Sequence, residues 1–165
     1  MPLTRGELIR TGFAGSVLLA AASCAHRATA PRDSQRHQMI AAIAGVMLAG
    51  ALPPSGQART DALGEVVRGV DIAIAGLPPV VQGEISQLFG LLSFPLTRVL
   101  AAGVMSNWGD APPREIETFL RQWRYSSITL FRSGYDALHQ LVMAGWYGND
   151  LAWPRIGYGG PPKLS

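Results

Sequence analysis

Cysteine, lysine and charge of either sign are what this sequence has least of. A single cysteine, Cys24, excludes an intrachain disulfide framework, a CxxC motif and any Cys/His metal cluster. Charged residues make up 15% of the chain, against about 25% in an average globular protein. A small domain exposes much of its surface, so this shortage leaves a surface rich in Ala, Gly and uncharged polar groups. Two causes fit: a face normally covered by another subunit or a membrane, and a codon bias visible in thirteen arginines beside the single Lys163. The formal net charge is +3, and the arginines are scattered with no block of like charge. Nucleic-acid binding wants a basic stripe with reachable aromatics, so nucleic acid is not an expected partner.

Convergent ionisable groups are scarce as well. The three histidines, His26, His37 and His139, are far apart, and there is no Glu-x-x-His pair, haem-attachment motif or di-acid constellation. Asp136 and His139 share a helix face and could pair, with Ser133 nearby. Three groups on one helix cannot converge as a catalytic triad, and Arg132-Ser133-Gly134 has no strand to present a nucleophile. Gly157-Tyr158-Gly159-Gly160 has the glycines of a phosphate loop without its strand, helix or lysine. The expectation is a chain with no catalytic residue, no metal and no cofactor of its own.

What is present begins with an address. Arg5 and Arg10 precede thirteen uncharged residues, Thr11 to Ser23 (TGFAGSVLLAAAS), the length of a signal h-region. At about 1.5 Å per residue that run is too short for a bilayer core of about 30 Å. Thr4-Arg5-Gly6-Glu7-Leu8-Ile9-Arg10 resembles a twin-arginine export signal with Gly6 in place of the second arginine. A weakened twin-arginine signal, a Sec signal and a signal that no longer works alone all remain open. Ala21-Ala22-Ser23-Cys24 is similar to a lipoprotein cleavage site, which would make Cys24 a lipid-attachment residue; the alternative is an incidental cysteine behind an ordinary signal peptidase site. Residues 1–24 are thus an export segment, 25–33 a linker and 34–165 one helical domain, placed in the periplasm or on the periplasmic face of a membrane.

The body is all-α in pattern: a compact bundle of five or six helices, with no sustained period-two run. Met39 to Leu52 is fourteen apolar or small residues ended by Pro53-Pro54, about 21 Å as a helix. It reads as a central buried helix, with a membrane hairpin as the alternative. Thr60 to Leu77 places Leu63, Val66, Val67, Val70 and Ile74 on one face. Val81, Ile85, Leu88, Phe89 and Leu92 form a second stripe, and Leu96, Val99, Leu100 and Val104 a shorter one that runs into the turn Ser106-Asn107-Trp108-Gly109. Asp110 is a candidate N-cap for a helix that turns Ile116, Phe119, Leu120 and Trp123 inward. Ser126 or Ser127 can cap a last helix to about Tyr147, in which Ile128, Phe131, Tyr135, Leu138 and Val142 repeat at three- and four-residue steps.

After that helix, aromatics alternate with Gly and Pro. Trp146, Tyr147, Trp153 and Tyr158 are half of the chain's four Trp and four Tyr residues, held on an irregular tail that must bury its rings against its own helices or a partner's. Gly145-Trp-Tyr-Gly-Asn149, then Trp153, then Ile156-Gly-Tyr-Gly-Gly-Pro161 resembles the end of the gluconate 2-dehydrogenase subunit 3 type. These are small subunits of membrane-associated flavin dehydrogenases of the glucose-methanol-choline class. The likeness is close over roughly the last fifty residues and architectural before them. It implies a non-catalytic accessory subunit that binds a large flavoprotein and assists its maturation and export, with an electron-transfer cytochrome as a further partner. On that resemblance Trp146, Tyr147, Asn149, Trp153, Ile156, Tyr158 and Pro161 form the docking surface. A free-standing periplasmic or lipid-anchored helical protein is the competing reading.

Overall fold

Prolines open three helices of this chain, and left-handed glycines stand at three of the described breaks. The computed structural model describes residues 33–148; 77% of them are helical, and among them no strand occurs. The chain divides into two units, Met1–Gln35 and Arg36–Ser165, and only Asp33, Ser34 and Gln35 of the first are described. Six helices follow in order: α1 (33–47), α2 (Gly56–Ala75), α3 (Pro79–Ser93), α4 (Pro95–Ala102), α5 (Pro113–Arg124) and α6 (Thr129–Tyr147). Proline stands in the first turn of α3, α4 and α5, where its missing N–H costs no helical hydrogen bond. The all-α expectation holds.

Helix α1 is the central helix that the run from Met39 foretells, with Met39, Ile43 and Ala44 fully buried. It stops at residue 47 rather than continuing to Leu52. Gly50 adopts φ +90°, a backbone state that glycine enters without a Cβ penalty. The reversal still returns Leu48 and Leu52 to the core. Arg59 fixes the turn with a forked donation, Nη1 to Pro53 O at 3.1 Å and Nη2 to Gly45 O at 3.1 Å. At the other end of α1, Asp71 of α2 accepts from Arg36 Nη2 at 3.1 Å and meets His37 Nε2 at 2.8 Å.

Helices α2 and α6 pack over a long contact, and two glycines permit it. A Cβ added at Gly69 would stand 2.6 Å from Gly145 O, and one added at Gly145 would stand 2.6 Å from Val66 O. The two backbones touch, and Val66 and Val70 pack fully buried beside the crossing. A third glycine seats α6 on α5: a Cβ at Gly134 would lie 2.5 Å from Cζ3 of Trp123.

An aromatic seam runs through the remaining core. Trp108 meets Phe119 edge to face at 5.9 Å, Phe119 meets Trp123 likewise at 4.9 Å, and Trp123 stacks on Phe131 at 5.2 Å. Both indole N–H groups find carbonyls, Trp108 Nε1 donating to Leu92 O at 2.9 Å and Trp123 Nε1 to Ala101 O at 2.7 Å. Ile116, Phe119, Leu120 and Trp123 are buried as the pattern of α5 requires.

Three local expectations fail. Asp110 does not cap α5: its N–H closes a turn to Asn107 O, and Pro112 holds the N-cap position without a side-chain bond. Neither serine caps α6, whose N-cap is Ile128; Ser126 instead accepts from Ile128 N–H and gives its carbonyl to Arg132 Nη1. The short stripe of α4 also faces the wrong way, since only Val104 of its four members is buried.

Gly145→Ala is expected to destabilise the fold by about 2 kcal/mol, because the overpacked atom meets backbone that cannot yield. Gly64→Ala, on an exposed turn of α2 with nothing within 4 Å, is expected to stabilise by up to about 1 kcal/mol. Urea unfolding midpoints of the two variants check both.

Candidate docking surface

Between Asp71 and Asp110 the chain carries two ionisable residues, Glu84 and Arg98, and the fold removes one of them from the surface. Arg98 is 7% exposed. Its Nε donates to Val104 O at 3.2 Å, and its Nη1 approaches Asn107 Oδ1 at 3.5 Å. No ion pair among the described residues includes it. The cause is local. Residues Arg98–Ala102 wind as a single π-turn that ends on Gly103 at φ +69°, and the extra residue rotates the arginine inward. The next segment is pinned from the other side, with Met105 N–H donating to Glu115 Oε1.

With Arg98 turned in, the apolar residues around it turn out. Phe94 is 58% exposed, Leu96 61%, Leu100 76% and Met105 76%. This is the reverse of the inward stripe expected for α4. The sequence pattern identifies an apolar face but not its direction. Here a buried guanidinium, the π-turn and Val104 decide it.

A groove of about 760 Å³ adjoins this region, walled by Val81, Ile85, Leu88 and Leu91 of α3 on one side and by Phe131, Ala137, Leu141 and Ala144 of α6 on the other. Ala73 and Leu77 of α2 and the ring of Trp123 also line it, and Glu84 is its one charged residue. Leu130, 71% exposed, stands at its margin. The groove was not read from the sequence. The signal available was the breadth of the α3 stripe, whose Val81, Leu88 and Leu91 remain only partly buried, together with the absence of charge.

The expected docking residues fare differently. Trp146 is 3% exposed and belongs to this chain's own core, which corrects its assignment to an outward surface. Gly145 presses α6 onto the α2 backbone and carries the following side chain inward. Tyr147, one helical step further, is 52% exposed. Asn149, Trp153, Ile156, Tyr158 and Pro161 lie outside the described residues, as do Arg5, Arg10 and Cys24. Asp136 and His139 do not pair; His139 lies against the ring of Tyr135 at 5.9 Å. Among the described residues no three His, Cys, Asp or Glu side chains gather as metal ligands. No single described helix is long and apolar enough to cross a membrane, although α3 and α4, bent by 81° at their junction, reach that length and composition together.

Compared with known protein families, curated proteins and solved structures, the chain gives no match. The surface therefore has to be judged on its own chemistry. It is largely apolar and partly concave, with Glu84 as the groove's one charged residue.

Because Leu96 and Leu100 project into solvent, the double change Leu96→Ser, Leu100→Ser is expected to alter stability by no more than about 1 kcal/mol. The same change is expected to lower self-association. Thermal unfolding and light scattering at matched concentration check the two halves.

Proposed function

We propose that this chain is a non-catalytic, exported accessory subunit that binds a flavin-dependent dehydrogenase of the glucose-methanol-choline class and assists its maturation. The observation that carries the reading is the charge-poor, outward apolar face of α3 and α4 with the groove, on a chain whose tail resembles the aromatic-glycine ending of such subunits. Apolar anchors in a concave, water-excluding setting are what stable interfaces favour. An outward Leu or Phe gains about 1.5–3 kcal/mol when a partner covers it fully. Four such side chains around α4, together with the groove, contribute toward the cost of association.

In this reading the groove receives an apolar segment of the large subunit, and Tyr147 and the tail after it extend the contact. Trp146 serves the fold. Catalysis, flavin and any electron-transfer cytochrome belong to the partner.

Tagged protein expressed in its native host is expected to co-purify with a larger polypeptide carrying flavin absorbance in fixed ratio. Deleting the gene is expected to lower one flavin-dependent dehydrogenase activity. Leu88→Arg, which places a charge in the groove, is expected to weaken that co-purification at least tenfold while leaving the isolated fold intact. A monodisperse protein with no flavoprotein companion, in a host whose deletion strain keeps every such activity, would overturn the reading.

A further inference from the structure

A second concavity, of about 410 Å³, opens away from the docking groove, between the end of α1, the last two turns of α5 and the middle of α6. Its lining differs in kind. Arg121 and Arg124 of α5, Tyr125, and Tyr135 and His139 of α6 converge on an apolar floor made by Met47 and Leu120.

The arrangement of these groups is ordered. The Arg124 guanidinium carbon lies 5.5 Å from the ring centre of Tyr125 and 5.7 Å from that of Tyr135. Tyr135 in turn stacks on His139, with centres 5.9 Å apart and planes inclined by 23°. Contact with a ring face uses the charge of a guanidinium and not its N–H groups, so the two rings flank Arg124 without consuming its donors. Among the described residues neither Arg121 nor Arg124 forms an ion pair or a side-chain hydrogen bond. Glu117 is the one acid in the lining. Two arginines against one carboxylate leave the cleft with a net charge of about +1.

The C-terminal end of α1 would ordinarily oppose an anion through its exposed carbonyls. That effect is blunted here. Ala44 O, Gly45 O and Val46 O already accept from Leu48 N, Arg59 Nη2 and Ala49 N.

We infer that this cleft binds a small flat aromatic monoanion, an arene carboxylate in chemical class. The carboxylate would accept from Arg121 and Arg124, and the ring would lie on the Met47–Leu120 floor beside Tyr135. A guanidinium fork matches a carboxylate bidentately, and a volume of about 410 Å³ lies within the range of small-ligand sites. The ring requirement follows from the floor and the tyrosines, which give a bare anion nothing to cover. This site is separate from the α3–α6 groove, and its existence does not depend on the dehydrogenase partner.

The test uses the full chain and 2-naphthoate, followed by its own fluorescence. Saturable one-to-one binding is expected. Arg121→Ala and Arg124→Ala should each weaken it about tenfold or more, as loss of a charge-assisted hydrogen bond implies. Arg124→Lys, which keeps the charge and loses the stacked plane, should also weaken it. Acetate and neutral naphthalene-2-methanol should each bind at least about tenfold more weakly than 2-naphthoate. Both arginines are exposed, so unchanged urea midpoints are expected in all three variants. Undetectable binding at millimolar 2-naphthoate overturns the inference. Binding that survives the arginine changes, or that naphthalene-2-methanol matches, places the ring in the apolar groove and overturns it equally.

Discussion

The contact on which the rest of this structure depends is the meeting of two backbones where α2 crosses α6. Gly69 and Gly145 bring the helices close enough that neither position has room for a methyl group. So close a crossing fixes the rotation of α6 as well as its distance. Each residue advances about 100° around a helix, so seating Gly145 inward sends Trp146 into the core and Tyr147 to the surface. It also explains the groove. Helix α3 follows α2 after only Gly76, Leu77 and Pro78, and with α6 drawn onto α2 its apolar flank stays apart from α6 along Val81, Leu88 and Leu91. A tight junction on one side of α6 thus leaves an open one on the other.

The second constraint is Arg98. Burying a guanidinium without a carboxylate carries a desolvation cost, offset here only in part by Val104 O and the approach of Asn107. Burying Leu96 and Leu100 in its place would have gained about 1.5–3 kcal/mol each. The chain does the reverse, hiding its charge and displaying its hydrocarbon. A free monomer draws no benefit from that exchange. A subunit whose α4 is covered by another apolar surface does, because the uncovered charge would then have become the buried and unpaired group. The stretch from 72 to 109, with only Glu84 and Arg98 as ionisable residues, forms one groove wall and the outward side chains.

What the sequence made legible was periodicity. Val66, Val67 and Val70, then Ile85, Phe89 and Leu92, then Ile116, Phe119, Leu120 and Trp123 recur at helical steps, and all are buried. The helix count and the absence of strands among the described residues follow from the same signal. Illegible were the features that depend on who faces whom. Trp108 lies in the expected turn, and what the sequence did not show is its burial, with the indole N–H donating to Leu92 O. The α4 stripe reversed because Arg98, on the same short helix, takes the buried position and Leu96 and Leu100 lie away from it. Cap assignments to Asp110 and Ser126 failed because both engage the preceding loop instead. Gly134 and Gly145 gave no hint of their roles, since a glycine's partner is named only once the opposing helix is in place.

Helix α6 carries the two concave surfaces on separate faces. Ala137, Leu141 and Ala144 fall on the groove side at helical spacing, whereas Tyr135 and His139 fall on the side of the arginine cleft. Gly134 and Gly145 hold the helix between them, one against the Trp123 ring and the other against the α2 backbone. Such a helix has little freedom to rotate or slide, because either motion drives backbone into backbone. Small residues on the groove face keep that concavity open, and Tyr135 on the opposite face flanks Arg124. The two surfaces are therefore kept in fixed register by the same pair of glycines, and through Trp123, which Gly134 touches and which lines the groove, one of them also shapes the concavity.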